Sequence, residues 1–246
     1  MAVIAGNWKM HLGPTDTRAF FERLSLEHVD AEHQLVVFPP AISIPAALAS
    51  RGPRVEIGVQ NIHWEDAGAF TGEISAPIAA DAGATFALVG HSERRHVFGE
   101  TDDEVRMKVE AALRAGLTPV VCVGETLEER RAGRVDEVIA RQLGAVLPVL
   151  GQSGARFLVA YEPVWAIGTG ETATPADASA AHATLRDCLE DAAGVVGAER
   201  VAILYGGSVK PGNAAELLAA PDVDGVLVGG ASLDPEDFAR IAAAAG

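Results

Sequence analysis

Cysteine is nearly missing from this chain: Cys122 and Cys188 are the only two in 246 residues. They lie far apart, fit no Cys-x-x-Cys spacing and are too few for a disulfide framework. A stapled secreted fold is therefore excluded, and both read as buried thiols. Lysine is almost as scarce, with Lys9, Lys108 and Lys210 standing against 16 arginines. Basic residues form no cluster and the formal charge is −15, so nucleic-acid backbone or an anionic lipid surface would be repelled. No run reaches the ~18 apolar residues of a membrane span, and "MAVIAGNWKM" is too short in apolar residues for a signal peptide. The expectation is a cytoplasmic protein with no nucleic-acid or membrane partner. The seven histidines never pair at ligand spacing with a cysteine or a second histidine, so the sequence gives metal chemistry no support.

What the chain does contain is apolar residues, at 49%, and 26 glycines. That composition suits closely packed helices against a sheet. Eight short apolar runs recur: "AVIAGN", "QLVVFP", "VEIGVQ", "FALVG", "LTPVVCVG", "RFLVAYE", "VAILYGG" and "DGVLVGG". Because they are apolar on both faces, they predict parallel strands covered by helices. Helix starts lie between them. Thr101 with Glu104 forms a capping box, and Thr174 and Asp234 each precede a proline suited to a first helical position. Eight strand-helix units of roughly 31 residues each match the βα repeat. No linker divides the chain, so residues 1–246 read as one domain. A doubly wound dinucleotide fold would want G-x-G-x-x-G after the first strand, and "AGNWKMHLG" lacks it. The fold expected is α/β, a single (β/α)8 TIM barrel of eight parallel strands.

Such barrels carry their chemistry where strands end. Asn7 and Lys9 leave the first run, Gln60 and Asn61 the third, His91 the fourth and Glu162 the sixth; Gly-Gly steps with Ser208 nearby follow the seventh and eighth. The barrel rule gathers them all around one opening. A buried carboxylate closing a strand needs a reason, and a lysine in so arginine-rich a chain presents a compact ammonium suited to one developing oxyanion. Lys108 and Lys210 read as solvated charges. Loops after the last two strands form the frequent phosphate site of this architecture.

The blocks "AGNWKM", "GHSERR", "CVGETLEER", "YEPVWAIGTG", "YGGSVKP" and "LVGGASL", in this order and spacing, resemble the triosephosphate isomerase family along nearly the whole chain. The resemblance implies interconversion of dihydroxyacetone phosphate and glyceraldehyde 3-phosphate, in glycolysis and gluconeogenesis, without cofactor or metal. It implies that Glu162 moves a proton between two carbons and that His91 shuttles one between two oxygens. Lys9 and Asn7 would hold the enediolate oxygens, and Gly168, Ser208, Gly229 and Gly230 the phosphate. That family is itself the known example of a neutral histidine electrophile beside a carboxylate base. A helix opening after His91 would point an amide at one ring nitrogen, with Ser92 and Glu93 as the candidate donors.

The stretch after Glu162 then reads as a lid. Pro163, Val164 and Trp165 make a stiff hinge, Ala166 and Ile167 an apolar tip, and Gly168 and Gly170 a close backbone approach. Closure would raise the basicity of Glu162 against Ile167 and Leu227. Two residues depart from the family pattern: Glu171 stands where a lysine is common, and His11 where an asparagine is. Residues 61–75 form a long connection without helical period. By resemblance this loop, with Thr71 at its tip, reaches a second subunit to make a homodimer; a packed Ω-loop is the other reading. Three rivals stay open: a Schiff-base aldolase, another phosphosugar isomerase or epimerase, and a non-catalytic phosphosugar-binding barrel.

Overall fold

In the computed structural model, which describes residues 1–167, 173–191 and 201–246, all eight apolar runs are strands. They are β1 (Val3–Asn7), β2 (Gln34–Phe38), β3 (Val55–Val59), β4 (Phe86–Val89), β5 (Thr118–Val123), β6 (Leu158–Tyr161), β7 (Ala202–Tyr205) and β8 (Gly225–Val228). Every neighbouring pair is parallel and β8 returns to β1, with Val3 opposite Gly225 and Gly6 opposite Val228, so the sheet closes into a barrel. The (β/α)8 expectation is met.

The strand period of two sorts the side chains into layers. Val3, Ala5, Val36, Phe38, Leu88, Val120, Leu158, Ala160 and Leu204 fill the barrel interior. Alternate residues such as Ile4, Leu35, Val121 and Val159 face outward and pack with the helices in a second core. This explains why the runs are apolar throughout: both faces of each strand are covered. Cys122 belongs to the interior and is fully buried, whereas Cys188 is only half-buried, which corrects its reading as a buried thiol. It sits on a helix flank, where the strand rule gives no protection.

Eleven α-helices are found among the described residues: α1 (Pro14–Arg23), α2 (Ile44–Ser50), α3 (Ala76–Asp81), α4 (Ser92–His96), α5 (Asp102–Arg114), α6 (Leu127–Arg131), α7 (Val135–Gly144), α8 (Leu147–Ser153), α9 (Pro175–Asp191), α10 (Ala214–Leu218) and α11 (Pro235–Ala243). Their starts follow local chemistry. Thr101 and Glu104 make the expected capping box on α5, and Thr126 with Glu129 makes another on α6. Asp234 caps two amides of α11 ahead of Pro235. Thr174 accepts from the Asp177 amide while Asp177 accepts from the Thr174 amide. No described helix is long and apolar enough to cross a membrane.

Candidate active site

The interior parity of β1 and β6 places the first site groups. On β1 the inward residues Val3 and Ala5 are followed by Asn7, and on β6 Leu158 and Ala160 are followed by Glu162. Both polar side chains therefore top the apolar plug at the carboxyl end of the barrel, Asn7 at 5% exposure and Glu162 at 2%. Inward parity on β4 would next offer Gly90. Its φ of +73 turns the chain as only glycine does cheaply, and His91, 6% exposed, enters the opening instead.

One cavity of about 600 Å³ collects these groups: Asn7, Lys9, His91 and Glu162 line it, as do Ser208, Gly229 and Gly230. Gly168 lies outside the described residues, as do Gly170 and Glu171. Glu162 Oε1 is 3.0 Å from His91 Nε2, and Glu162 Oε2 accepts the Ser92 amide at 2.7 Å. The Glu93 amide donates to His91 Nδ1 at 3.2 Å. Of the two candidate donors, Glu93 supplies the amide on the ring nitrogen and Ser92 braces the carboxylate instead, because α4 starts directly beside both groups. Lys9 has φ +50, an unfavourable backbone for a side chain with a Cβ that is tolerated where surroundings over-determine it. Its backbone amide donates to Asn7 Oδ1 at 3.0 Å and its ammonium meets Glu93 Oε1 at 2.6 Å.

These contacts set the titration of the pair. Burial alone would raise the Glu162 carboxyl, yet His91, by charge and hydrogen bond, with the Ser92 amide and Lys9, brings it below the ordinary carboxylate value. The raised basicity expected against Ile167 and Leu227 belongs to the closed loop, whose residues 168–172 lie outside the described ones. Burial would lower the His91 imidazole, but contact with Glu162 outweighs it and the net direction is upward. Against that, Nδ1 accepts an amide proton, which an imidazolium cannot do. The neutral tautomer with its proton on Nε2 is the one this hydrogen-bond geometry holds.

A shell the sequence did not reveal surrounds these groups. Glu125, wholly buried, accepts from the Tyr161 hydroxyl at 3.0 and 3.1 Å, Trp165 Nε1 at 2.8 Å and Arg130 at 3.2 Å. Arg130 stacks over the Trp165 ring and pairs with Asp177. The hinge after Glu162 is therefore anchored on the β5 loop. Ala166 is fully buried in the 3-10 turn Val164–Ala166, so it is no tip; Ile167 alone continues to the cavity.

Not every strand-end residue reaches the opening. The Gln60 amide donates to the carbonyls of Lys9 and Phe38 at 2.8 Å, which ties up its side chain in bracing the β1 loop. Asn61 accepts from Lys108 Nζ at 2.7 Å. Lys108 corrects its reading as a solvated charge: it is 4% exposed and pairs with buried Glu100 at 2.6 Å. The helical period carried a hint, since Lys108 falls three residues after Val105 and four before Ala112 on the buried stripe of α5. Lys210 is exposed, as expected, and lines the rim.

A profile of the family described as triosephosphate isomerase matches residues 2–245. The chain is 48% identical over 242 residues to the triosephosphate isomerase of Solibacter usitatus, covering 97% of each chain. It is 51% identical over 241 residues to that of Moorella thermoacetica, covering 97% of this chain and 96% of the relative.

The chain belongs to the triosephosphate isomerase family.

Similarity to the Symbiobacterium thermophilum member of that family, 48% over 246 residues, takes in 99% of this chain and 96% of the relative. The family is one of aldose–ketose isomerases. Of the two departures from its pattern, His11 is exposed and lines the cavity rim.

Proposed function

We propose that residues 1–246 form one catalytic barrel that interconverts dihydroxyacetone phosphate and glyceraldehyde 3-phosphate through an enediolate, in glycolysis and gluconeogenesis in the cytoplasm. One observation carries the assignment: a buried carboxylate 3.0 Å from an imidazole nitrogen, on a cavity that also holds Lys9 and the glycine-rich ends of β7 and β8. Abstracting a proton beside a carbonyl needs a base at carbon and preorganised donors at oxygen. Glu162 takes the proton from one carbon, the electron pair moves onto the carbonyl oxygen, and the same carboxyl returns the proton to the neighbouring carbon. His91 Nε2–H gives a proton to one oxygen and recovers one from the other. Lys9 and Asn7 hold those oxygens, while Ser208, Gly229 and Gly230 hold the phosphate; Gly168 joins them in this reading. A substrate lying between Glu162 and His91 separates the pair whose contact sets both titrations. No step calls for a cofactor or a metal.

The direct test is a coupled assay with glyceraldehyde 3-phosphate, run beside a panel of other phosphosugars. Turnover of the three-carbon substrate alone is expected, and Glu162→Gln should lower kcat by at least ~10²-fold. Preference for another phosphosugar would favour a different barrel isomerase or epimerase, and no turnover a binding protein.

A homodimer is part of the same reading. Met10, Ile42, Phe70, Val97 and Phe98 are 93%, 77%, 41%, 72% and 67% exposed. They follow four consecutive strands, so the barrel order sets them along one side of the rim, and apolar surface of that extent favours a partner. Exposed Thr71 sits between them on the 61–75 loop, which is also packed on itself: His63 stacks on Trp64 at 4.2 Å and meets Phe70 at 4.1 Å. Sedimentation should give a dimer for the native chain and a monomer for Phe98→Asp; unchanged mass in both would remove the assignment.

A further inference from the structure

Gln142 lies on α7, outside the barrel, at 3% exposure. An amide that deep between helix and sheet must find partners for both its oxygen and its nitrogen. It finds both on one residue. The Gly124 amide donates to Gln142 Oε1 at 2.8 Å, and Gln142 Nε2 donates to the Gly124 carbonyl at 3.3 Å. This is the bond pair that a neighbouring strand would supply, and none does: β5 pairs with β4 only as far as Val121 and with β6 only as far as Val123.

Gly124 is also where the chain after β5 runs against the residue assigned as base. The Glu162 amide donates to Val123 O at 2.7 Å as the last bond of the β5–β6 ladder. A Cβ on Gly124 would overlap the carbonyl oxygen of Glu162, so the two backbones are in direct contact. The next residue, Glu125, takes the Val164 amide on its carbonyl at 3.1 Å and the hinge side chains on its carboxylate. Residues 123–125 thus form the floor on which Glu162 and the start of its loop rest, and Gln142 fastens the middle of that floor from behind.

We propose that Gln142 is a positioning residue for Glu162, acting through Gly124. It touches no reacting atom, and the proposal rests on the assignment of Glu162 as base. Losing the clasp leaves the Gly124 amide and carbonyl unpaired in an apolar interface. The floor then shifts to find other partners, and the carboxylate moves with it. Displacements near 1 Å at a reacting group lower rate by about 10²-fold.

The test compares Gln142→Leu, Gln142→Glu and Leu143→Ala in the full chain, reading Tm, kcat and KM. Leu143 is buried on the same helix and makes a packing-only control. Gln142→Leu is expected to lower kcat by about 10- to 100-fold with KM changed less than about 3-fold, while Leu143→Ala lowers Tm and leaves kcat within about 2-fold. The glutamate variant supplies a readout that loss of stability alone would not move. Its carboxylate repels the Gly124 carbonyl at neutral pH but regains a donor when protonated, so its kcat relative to the native protein should recover as pH falls. Equal kcat loss in Gln142→Leu and Leu143→Ala, or a native pH profile for Gln142→Glu, would overturn the proposal. A Glu162→Gln variant run alongside keeps the two assignments apart. Retained turnover there removes the base assignment and this proposal with it; lost turnover there with an unmoved Gln142→Leu removes the positioning role alone.

Discussion

Replacing Lys108 by methionine keeps most of the aliphatic stem on α5 but deletes an ammonium that reaches Glu100 at 2.6 Å and Asn61 at 2.7 Å. Glu100 stays behind, 9% exposed, with its other oxygen already unpartnered and only Arg94 Nε, at 2.8 Å, for company. Removing one partner of a buried ion pair costs about 3–5 kcal/mol, because it strands the other charge. In a chain of this length each kcal/mol lowers Tm by about 2–4 °C, so the fall should be about 6–20 °C. Scanning calorimetry at fixed protein concentration measures it. The pH dependence follows from Glu100. Burial raises its carboxyl, but Lys108 and then Arg94 bring it net below the ordinary value. A lowered carboxyl stabilises above its unfolded pKa, and that contribution is lost as pH falls through the folded one. Without Lys108 the folded value rises, so Glu100 protonates earlier on acidification and the penalty of Lys108→Met shrinks toward pH 4. Adding Glu100→Gln should restore more than half of the lost Tm at neutral pH. A fall under about 2 °C for Lys108→Met, or a double variant no better than the single, would refute the stranded-charge argument.

His182 on α9 is wholly buried, with Nδ1 2.9 Å from the Asp222 carbonyl oxygen, and burial above all lowers its imidazole to about 4. The unfolded chain therefore binds a proton there between pH 6.5 and 4 that the folded chain refuses, and stability should fall by roughly 3 kcal/mol across that window. Urea midpoints from pH 7.5 to 4.5 should decline less steeply in His182→Phe; parallel curves would sink the assignment. His91 is raised only by its partners, chiefly Glu162, against burial. In Glu162→Gln its titration, followed by nitrogen NMR, should move down, and an unmoved or higher value would show that the contact does not set it.

Much of the fold is legible in the sequence for a physical reason. A strand covered on both faces must be apolar at every position, and a helix start must satisfy its own amides, so "QLVVFP", Thr101 with Glu104, and Asp234 before Pro235 announce themselves locally. Glu162 and Asn7 were legible too, because period-two parity carries each strand's inward face on to its last residue. What the sequence could not reveal are contacts between groups on different loops. Glu93 on Lys9, Ser92 on Glu162, Asn61 on Lys108 and the Tyr161 and Trp165 donors on Glu125 join residues far apart in the chain, and no local pattern encodes those pairings. Burial of Ala166 and half-exposure of Cys188 likewise depend on which neighbour arrives. The amino-acid order determined the barrel and the residues that stand at its rim; closure of the barrel alone decided which of them meet, because only there do strand ends far apart in the chain come within hydrogen-bonding distance.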